Sequence, residues 1–149
     1  MKKAAALALL AALTFLSADR LQWREGVPSK PPLSSTLARG VVPMDTYLKA
    51  LAKTAWPEDT TAALNILHCE SRTGRDPDAW RTDAPDGGPY QINRASWERF
   101  FLDRYGWSWE QITHDPATNT AAARIIYDRT GDWSAWSCDG STTVAANGS

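Results

Sequence analysis

The chain is poor in cysteine, and its 2 Cys in 149 residues exclude a small disulfide-rich scaffold and allow a single bridge. It also lacks an excess of positive charge, because 16 Lys and Arg stand against 17 Asp and Glu. A nucleic-acid binder needs basic groups to replace the counterions of the phosphates, so we expect no nucleic-acid partner. The apolar run at 4–16 is shorter than the ~20 residues that a membrane-spanning helix requires.

Tryptophan is abundant instead, with 8 Trp against 3 Phe and 2 Met. Such enrichment suits a small rigid core, or a groove in which flat ligands such as sugar rings stack on aromatic faces. The hydrophobic fraction of 43% is enough to bury a core, and the length fits one domain.

The N-terminus has the composition of an export signal. Lys2 and Lys3 precede the apolar run, which is followed by the small residues Ser17 and Ala18. This order predicts a signal peptide over 1–18, with an uncleaved N-terminal anchor as the alternative. We therefore expect a secreted protein of the cell envelope that has no membrane contact once the signal is removed.

A spacer follows the signal. Residues 19–43 contain four prolines and no sustained periodicity, which predicts a Pro/Ser-rich linker. The remaining residues, 44–149, form the predicted domain, which we expect to be a monomer.

The domain has mostly helical patterning. Asp45 is a candidate N-cap, and Pro57 a candidate first residue of a second helix that carries Glu70. Further helix signals are Asn93, the pair Ser108 and Gln111, the dipeptide Asp115-Pro116, and Gly131. The turn signal Pro85-Asp86-Gly87-Gly88 predicts a small β-hairpin. The fold class is therefore α+β, mainly helical.

Glu70 is the most unusual residue of the pattern. It follows Ile66 by four positions and Leu67 by three, so all three share one helix face, which we expect to be buried. Loss of hydration raises the pKa of a carboxyl, and a carboxyl that stays protonated can act as a general acid. The alternative is a Glu that reaches solvent or pairs with Arg72 or Arg75.

The two cysteines flank this candidate site. Cys69 directly precedes Glu70, and Cys138 lies near the C-terminus, so export would oxidise them to one disulfide. Zinc held by these cysteines, His68 and His114 is a poorer alternative, because adjacent residues on a helix point to different sides. A catalytic Cys–His pair is equally poor. We expect no metal and no cofactor.

Several motifs, taken together, resemble a known superfamily. Cys69-Glu70-Ser71 resembles the helix-ending Glu-Ser of lytic transglycosylases and goose-type lysozymes, with the preceding Cys of resuscitation-promoting factors. The segment 87–92, with Gly87, Gly88 and Gln91, is similar to the glycine-rich strand of the same proteins.

Two later motifs extend the resemblance to the end of the domain. Asp115-Pro116 with Asn119 is similar to the Asp-Pro-x-x-Asn opening of a late helix, and Trp136-Ser137-Cys138 to a Trp-Pro-Cys ending. The late Tyr-Asn pair of transglycosylases has no clear match. The resemblance covers about Cys69 to Cys138 and implies a lysozyme-like fold with a saccharide groove.

The resemblance also implies a substrate and a mechanism. The substrate would be the β-1,4 bond between N-acetylmuramic acid and N-acetylglucosamine in the glycan strands of peptidoglycan. Glu70 would be the catalytic acid and then the base of a lytic transglycosylase. A hydrolytic muramidase would need a second carboxylate, for which Asp83 and Asp86 are the candidates. Both also fit an ordinary role, Asp86 in the turn and Asp83 beside Arg81.

Three further residues are candidates for substrate binding. Gln91 would contact an acetamido group, Tyr90 would stack on a sugar face, and Ser71 would lie beside Glu70, where it more readily supports the turn. Glycines 87 and 88 would permit close approach of the ligand. The remaining alternative is a non-catalytic module that binds cell wall or a partner, in which Glu70 is structural.

Overall fold

The computed structural model describes residues 42–138, so the predicted signal and most of the predicted spacer lie outside the described residues. The described part contains five α-helices, one short 3-10 helix and one two-stranded antiparallel sheet. This composition confirms the mainly helical α+β class. None of these helices is long and apolar enough to cross a membrane.

Two helices open the domain: α1, Met44–Ala55, packs against α2, Thr60–Ser71. The predicted N-cap Asp45 is wrong, because α1 begins at Met44 and Asp45 lies in its first turn. The predicted start of the second helix at Pro57 is also wrong. Residues 57–59 form a bend, and the helix begins only at Thr60.

A 3-10 helix, Pro77–Trp80, leads into the hairpin of β1, Asp86–Gly87, and β2, Ile92–Asn93. Asp86 pairs with Asn93 and Gly87 with Ile92. The hairpin is confirmed, but two of the predicted turn residues, Asp86 and Gly87, form the first strand. The connection between the strands is 88–91.

Three helices complete the domain: α3, Arg94–Tyr105; α4, Trp109–His114; and α5, Pro116–Thr130. Their caps are those predicted. The Asn93 side chain accepts from the Ser96 N–H at the start of α3. Ser108 and Gln111 form a capping box on α4, and Gly131, at a φ of 84°, ends α5.

The core lies among the helices: α5 packs against α1 and α4, and α1 packs against α2. All five helices and the hairpin contribute fully buried side chains. The largest are Leu48, Trp56, Ile66, Leu67, Tyr90, Ile92, Phe101, Ile112 and Ile126. Tyr90 belongs to the hairpin connection, so the hairpin is anchored in the core. The Tyr90 hydroxyl also donates to the Ala63 carbonyl, so the hairpin is attached to α2.

Candidate active site

Glu70 lies in the last turn of α2, half-buried, on the same face as the fully buried Ile66 and Leu67. Its burial removes water from the carboxyl and raises the pKa of Glu70 above the ordinary value for glutamate. The Cys138 backbone N–H donates to the carboxyl and opposes this shift, while the negative charge of Asp86 adds to it. The raised pKa agrees with the expectation from the apolar face.

Glu70 has no cationic partner among the ion pairs formed within residues 42–138. Arg75, one of its two expected partners, instead bonds Asp45 of α1 at 2.6 Å. Arg72 takes a left-handed conformation at the end of α2, with a φ of 51°. The alternative of a Glu70–Arg72 or Glu70–Arg75 pair is therefore wrong for this structure.

Ser71 supports the end of α2. Its hydroxyl donates to the Leu67 carbonyl at 3.1 Å and accepts from the Gly74 N–H at 2.9 Å. Only 1% of the residue is exposed, so it offers no surface to a ligand. The expectation of a substrate contact by Ser71 is corrected to a structural role in the turn that follows Glu70.

The two candidate second carboxylates lie in different surroundings. Asp83 is exposed, and Arg81 donates to both of its oxygens, at 3.0 and 2.8 Å, which lowers the pKa of Asp83. Asp86 lies at the start of β1, half-buried, and accepts from the Asn93 amide at 3.0 Å. Asp86 is the one whose charge acts on Glu70. Asp83 is held in its ion pair with Arg81, so Asp86 is the better candidate for a second carboxylate.

Tyr90 is fully buried, and the prediction that it stacks on a sugar face is wrong. Its ring packs against Trp56 with centroids 5.3 Å apart, and its hydroxyl donates to the Ala63 carbonyl of α2 at 3.5 Å. Burial raises the pKa of the phenol. Because neither ring face is open, Tyr90 connects the hairpin to the helix of Glu70.

Gln91 is half-buried at the end of the hairpin connection. It takes a left-handed conformation, with a φ of 44°, which is uncommon for a residue other than glycine. Its side-chain amide donates to the Gly88 carbonyl at 2.8 Å and more weakly to the Ala79 carbonyl at 3.5 Å. The amide nitrogen thus stabilises the turn, and a contact of Gln91 with an acetamido group stays a prediction.

Glycines 87 and 88 make room for protein atoms, which corrects the expectation that they admit a ligand. A Cβ on Gly87 would lie 2.6 Å from the Thr113 hydroxyl and 2.7 Å from the Trp109 ring. A Cβ on Gly88, at a φ of 74°, would lie 2.0 Å from the Asn119 amide nitrogen. Both positions require glycine because α4 and α5 approach the hairpin backbone closely.

Asn119 is the residue whose role the sequence did not reveal. It is fully buried in α5, and its amide nitrogen donates to the Gly87 and Ile112 carbonyls, both at 3.0 Å. Its oxygen accepts from the Tyr90 N–H at 2.8 Å. The Asp-Pro-x-x-Asn motif marked this position but gave no partner for the side chain.

The segment 131–138 closes the site from the C-terminal side. The Trp133 indole donates to the Asp59 carboxylate at 2.8 Å, and the Trp136 indole to the Tyr90 carbonyl at 2.7 Å. The predicted disulfide is confirmed between Cys69 and Cys138, with Cα atoms 6.3 Å apart. These three attachments hold the Cys138 N–H against Glu70.

The disulfide also decides the alternatives that needed free thiols. Both cysteines are oxidised, so neither zinc ligation nor a Cys–His nucleophile applies to this structure. Among residues 42–138 no group of three or more His, Cys, Asp or Glu side chains could hold a metal ion.

The arrangement provides one protonatable carboxyl of raised pKa, a backbone donor and a second carboxylate on the opposing hairpin. Such a set can deliver a proton to a leaving group and later remove one from a nucleophile. The geometry itself is the support for a function, since no family model, curated protein or solved structure matches this chain.

Proposed function

We propose that the protein is an exported glycosidase that cleaves the β-1,4 bond between N-acetylmuramic acid and N-acetylglucosamine in peptidoglycan. The proposed reaction is that of a lytic transglycosylase, within a lysozyme-like fold. The observation that carries this proposal is Glu70, a half-buried carboxyl of raised pKa that has no cationic partner within residues 42–138. The resemblance of the motifs around it supplies the substrate class.

Glu70 would act twice in this mechanism. In its protonated form it donates to the glycosidic oxygen, and the bond breaks to leave an oxocarbenium-like muramyl sugar. The resulting carboxylate then removes the proton from the 6-hydroxyl of the same sugar, whose oxygen attacks the anomeric carbon. The product carries a 1,6-anhydro ring, and Glu70 is protonated again.

The raised pKa and the Cys138 N–H suit these two steps. Desolvation and the charge of Asp86 favour the protonated acid that the first step uses. The Cys138 N–H stabilises the carboxylate that exists between the steps. Acid and base roles would therefore both fall to Glu70.

A hydrolytic muramidase is the second candidate, and the position of Asp86 favours it. Its carboxylate lies close enough to affect the pKa of Glu70, as expected for a residue on the opposite side of a groove. In that reaction Asp86 would activate a water molecule as the base of an inverting enzyme. Asp83, bonded to Arg81, is not proposed for this role.

The cellular location is proposed on two grounds. The sequence of 1–18 has the composition of a signal peptide, and the Cys69–Cys138 disulfide fits an oxidising compartment. From Asp45 to Asp139 there are 10 basic and 15 acidic residues, so charge does not attract this domain to anionic wall polymers. A purely binding module is therefore the less favoured alternative.

Mass spectrometry of the products from purified peptidoglycan tests the function. We expect anhydro-muramyl ends with the wild-type protein and none with Glu70→Gln, because the amide cannot donate the proton. Glu98→Gln is the matched control, since Glu98 pairs with Arg94 at 2.9 Å on α3. It should retain activity.

The other outcomes separate the alternatives. Reducing ends that disappear in Asp86→Asn but persist in Asp83→Asn would identify a muramidase. Wall binding without either product, unchanged by Glu70→Gln, would overturn the enzyme and establish the binding module.

A further inference from the structure

Asn119 is an amide side chain buried completely within the domain. A fully buried amide is costly unless its polar atoms are paired, and an apolar side chain would fill the same space without that requirement. The amide group of Asn119 is paired through hydrogen bonds to backbone atoms of Gly87, Tyr90 and Ile112. It links the hairpin and the last residues of α4 from one side chain of α5.

Asn119 binds two hairpin atoms, one at the end of β1 and one within the connection 88–91. The Gly87 carbonyl belongs to β1, next to Asp86, and the Tyr90 N–H belongs to the connection, next to Gln91. A side chain that bonds both atoms fixes the hairpin in both position and rotation. Gly88 lies between them, with no room for a Cβ against the Asn119 amide.

The same hairpin is in contact with the helix of Glu70. The Tyr90 hydroxyl donates to the Ala63 carbonyl of α2, and the Tyr90 carbonyl accepts from Trp136 in the segment that ends at Cys138. Asn119 therefore fixes a backbone whose other contacts reach α2 and the donor to Glu70.

We propose that Asn119 is a positioning residue, which holds the hairpin at the distance from Glu70 that the reaction needs. The inference rests on the proposed function for its catalytic consequence. The mechanical part, that Asn119 sets the position of Asp86 relative to Glu70, stands on the hydrogen bonds alone. The two parts are tested by different measurements.

The mechanical part is tested by following the Glu70 carboxyl in an NMR titration. The groups that face this carboxyl are Asp86 from the hairpin and the Cys138 N–H from the C-terminal segment. Asp86→Asn should lower the pKa of Glu70, because it removes a neighbouring negative charge. In the Asn119→Ala background the same change should have less than half that effect, since the hairpin is no longer fixed.

Thr120→Val is the matched control. Thr120 is a buried residue of the same helix, and its hydroxyl donates to the Pro116 carbonyl at 2.8 Å, within α5. The valine removes one hydrogen bond without touching the hairpin, so the effect of Asp86→Asn should be preserved. A full effect of Asp86→Asn in folded Asn119→Ala protein would overturn the proposal.

A second variant applies if Asn119→Ala does not fold. Gly88→Ala disturbs the contact between the hairpin and Asn119 from the hairpin side, since its methyl group must displace the Asn119 amide. We expect it to weaken the coupling between Asp86 and Glu70 in the same way, and an unchanged coupling would contradict the proposal.

The catalytic part is read from kcat on peptidoglycan. Asn119→Ala should lower kcat on the order of 10–100-fold with little change in KM, because misplacement of a reacting group acts on the chemical step. Thr120→Val should leave kcat unchanged. If the wild-type protein is inactive but Asp86→Asn still lowers the pKa of Glu70, the proposed function is refuted and the positioning role of Asn119 remains. If Asn119→Ala keeps full activity although Asp86→Asn no longer affects the pKa of Glu70, only the catalytic part is refuted.

Discussion

At the scale of single residues, the environment of Glu70 disfavours its ionised form. Burial of its carboxyl and the charge of Asp86 raise the pKa of Glu70 in the folded protein, although the Cys138 N–H opposes the rise. A carboxyl with a raised folded-state pKa opposes folding when it is ionised. The residue therefore costs stability at neutral pH.

This cost has a defined pH dependence. As the pH falls through the raised pKa, folded Glu70 takes up its proton before the unfolded chain does, so its contribution to stability improves. Glu70→Gln should accordingly raise Tm at pH 7, by about 4 °C for each kcal/mol gained in a domain of this size. The gain should shrink toward pH 4, where the wild-type carboxyl is protonated as well.

Calorimetry of both proteins across this pH range checks the prediction. Glu98→Gln should instead lower Tm at pH 7, because Arg94 lowers the pKa of Glu98 and the substitution removes this ion pair. A gain from Glu70→Gln that stayed constant from pH 7 to pH 4 would contradict the account of Glu70.

At the scale of elements, glycines show how closely the helices approach the hairpin. Gly87→Ala should destabilise the protein by about 1–3 kcal/mol, because the methyl group would overlap the Thr113 hydroxyl and the Trp109 ring. Gly87 has an ordinary φ, so the cost is steric. Urea unfolding of the purified variant measures it.

Gly131→Ala separates this effect from backbone conformation. Gly131 has a φ of 84°, and a Cβ there would have no neighbour within 4 Å. Its substitution should cost about 1 kcal/mol from conformation alone. Equal costs at the two positions, or a smaller one at Gly87, would mean that the hairpin moves away readily.

Local signals explain which elements were predictable. The caps at Asn93, Ser108 and Gly131 depend on residues within one helical turn, and the sequence identified each of them. The start of α2 depends on a distant residue. Asp59 accepts from the Trp133 indole, 74 positions away, and makes no side-chain cap.

The same difference between local and distant contacts applies to the candidate site. Helical spacing singled out Glu70, and the predicted export signal favoured the disulfide that the structure contains. The burial of Tyr90 was not, because its ring is covered by Trp56, which lies far from it in sequence. Glycine in a turn indicates close approach in general, and only the structure shows that Asn119 is what approaches Gly88.

At the scale of the whole molecule, the disulfide joins the last turn of α2 to the last described residue, with a sequence separation of 69. Closing a loop of this length stabilises the folded state by about 4 kcal/mol in the chain-entropy treatment. Cys69→Ala/Cys138→Ala should therefore lose about this much, as measured by urea unfolding. Wild-type protein unfolded with a reductant present is the companion measurement and should match the double variant.

A loss well below 1 kcal/mol would contradict the loop-closure account. It would mean that the contacts of Trp133 and Trp136 already hold the segment 131–138 in place.

The tryptophan cluster under the site has an optical consequence. Trp56, Tyr90, Trp133 and Trp136 lie in a chain of tilted rings whose neighbouring centroids are 5.1–5.3 Å apart. Transition dipoles at such distances and angles couple, so the cluster should give the folded protein a strong near-ultraviolet circular dichroism band. Trp136 is hydrogen-bonded to the hairpin and lies in the same segment as Cys138, whose N–H donates to Glu70. The band would therefore report, without any added probe, whether this segment is attached to the hairpin.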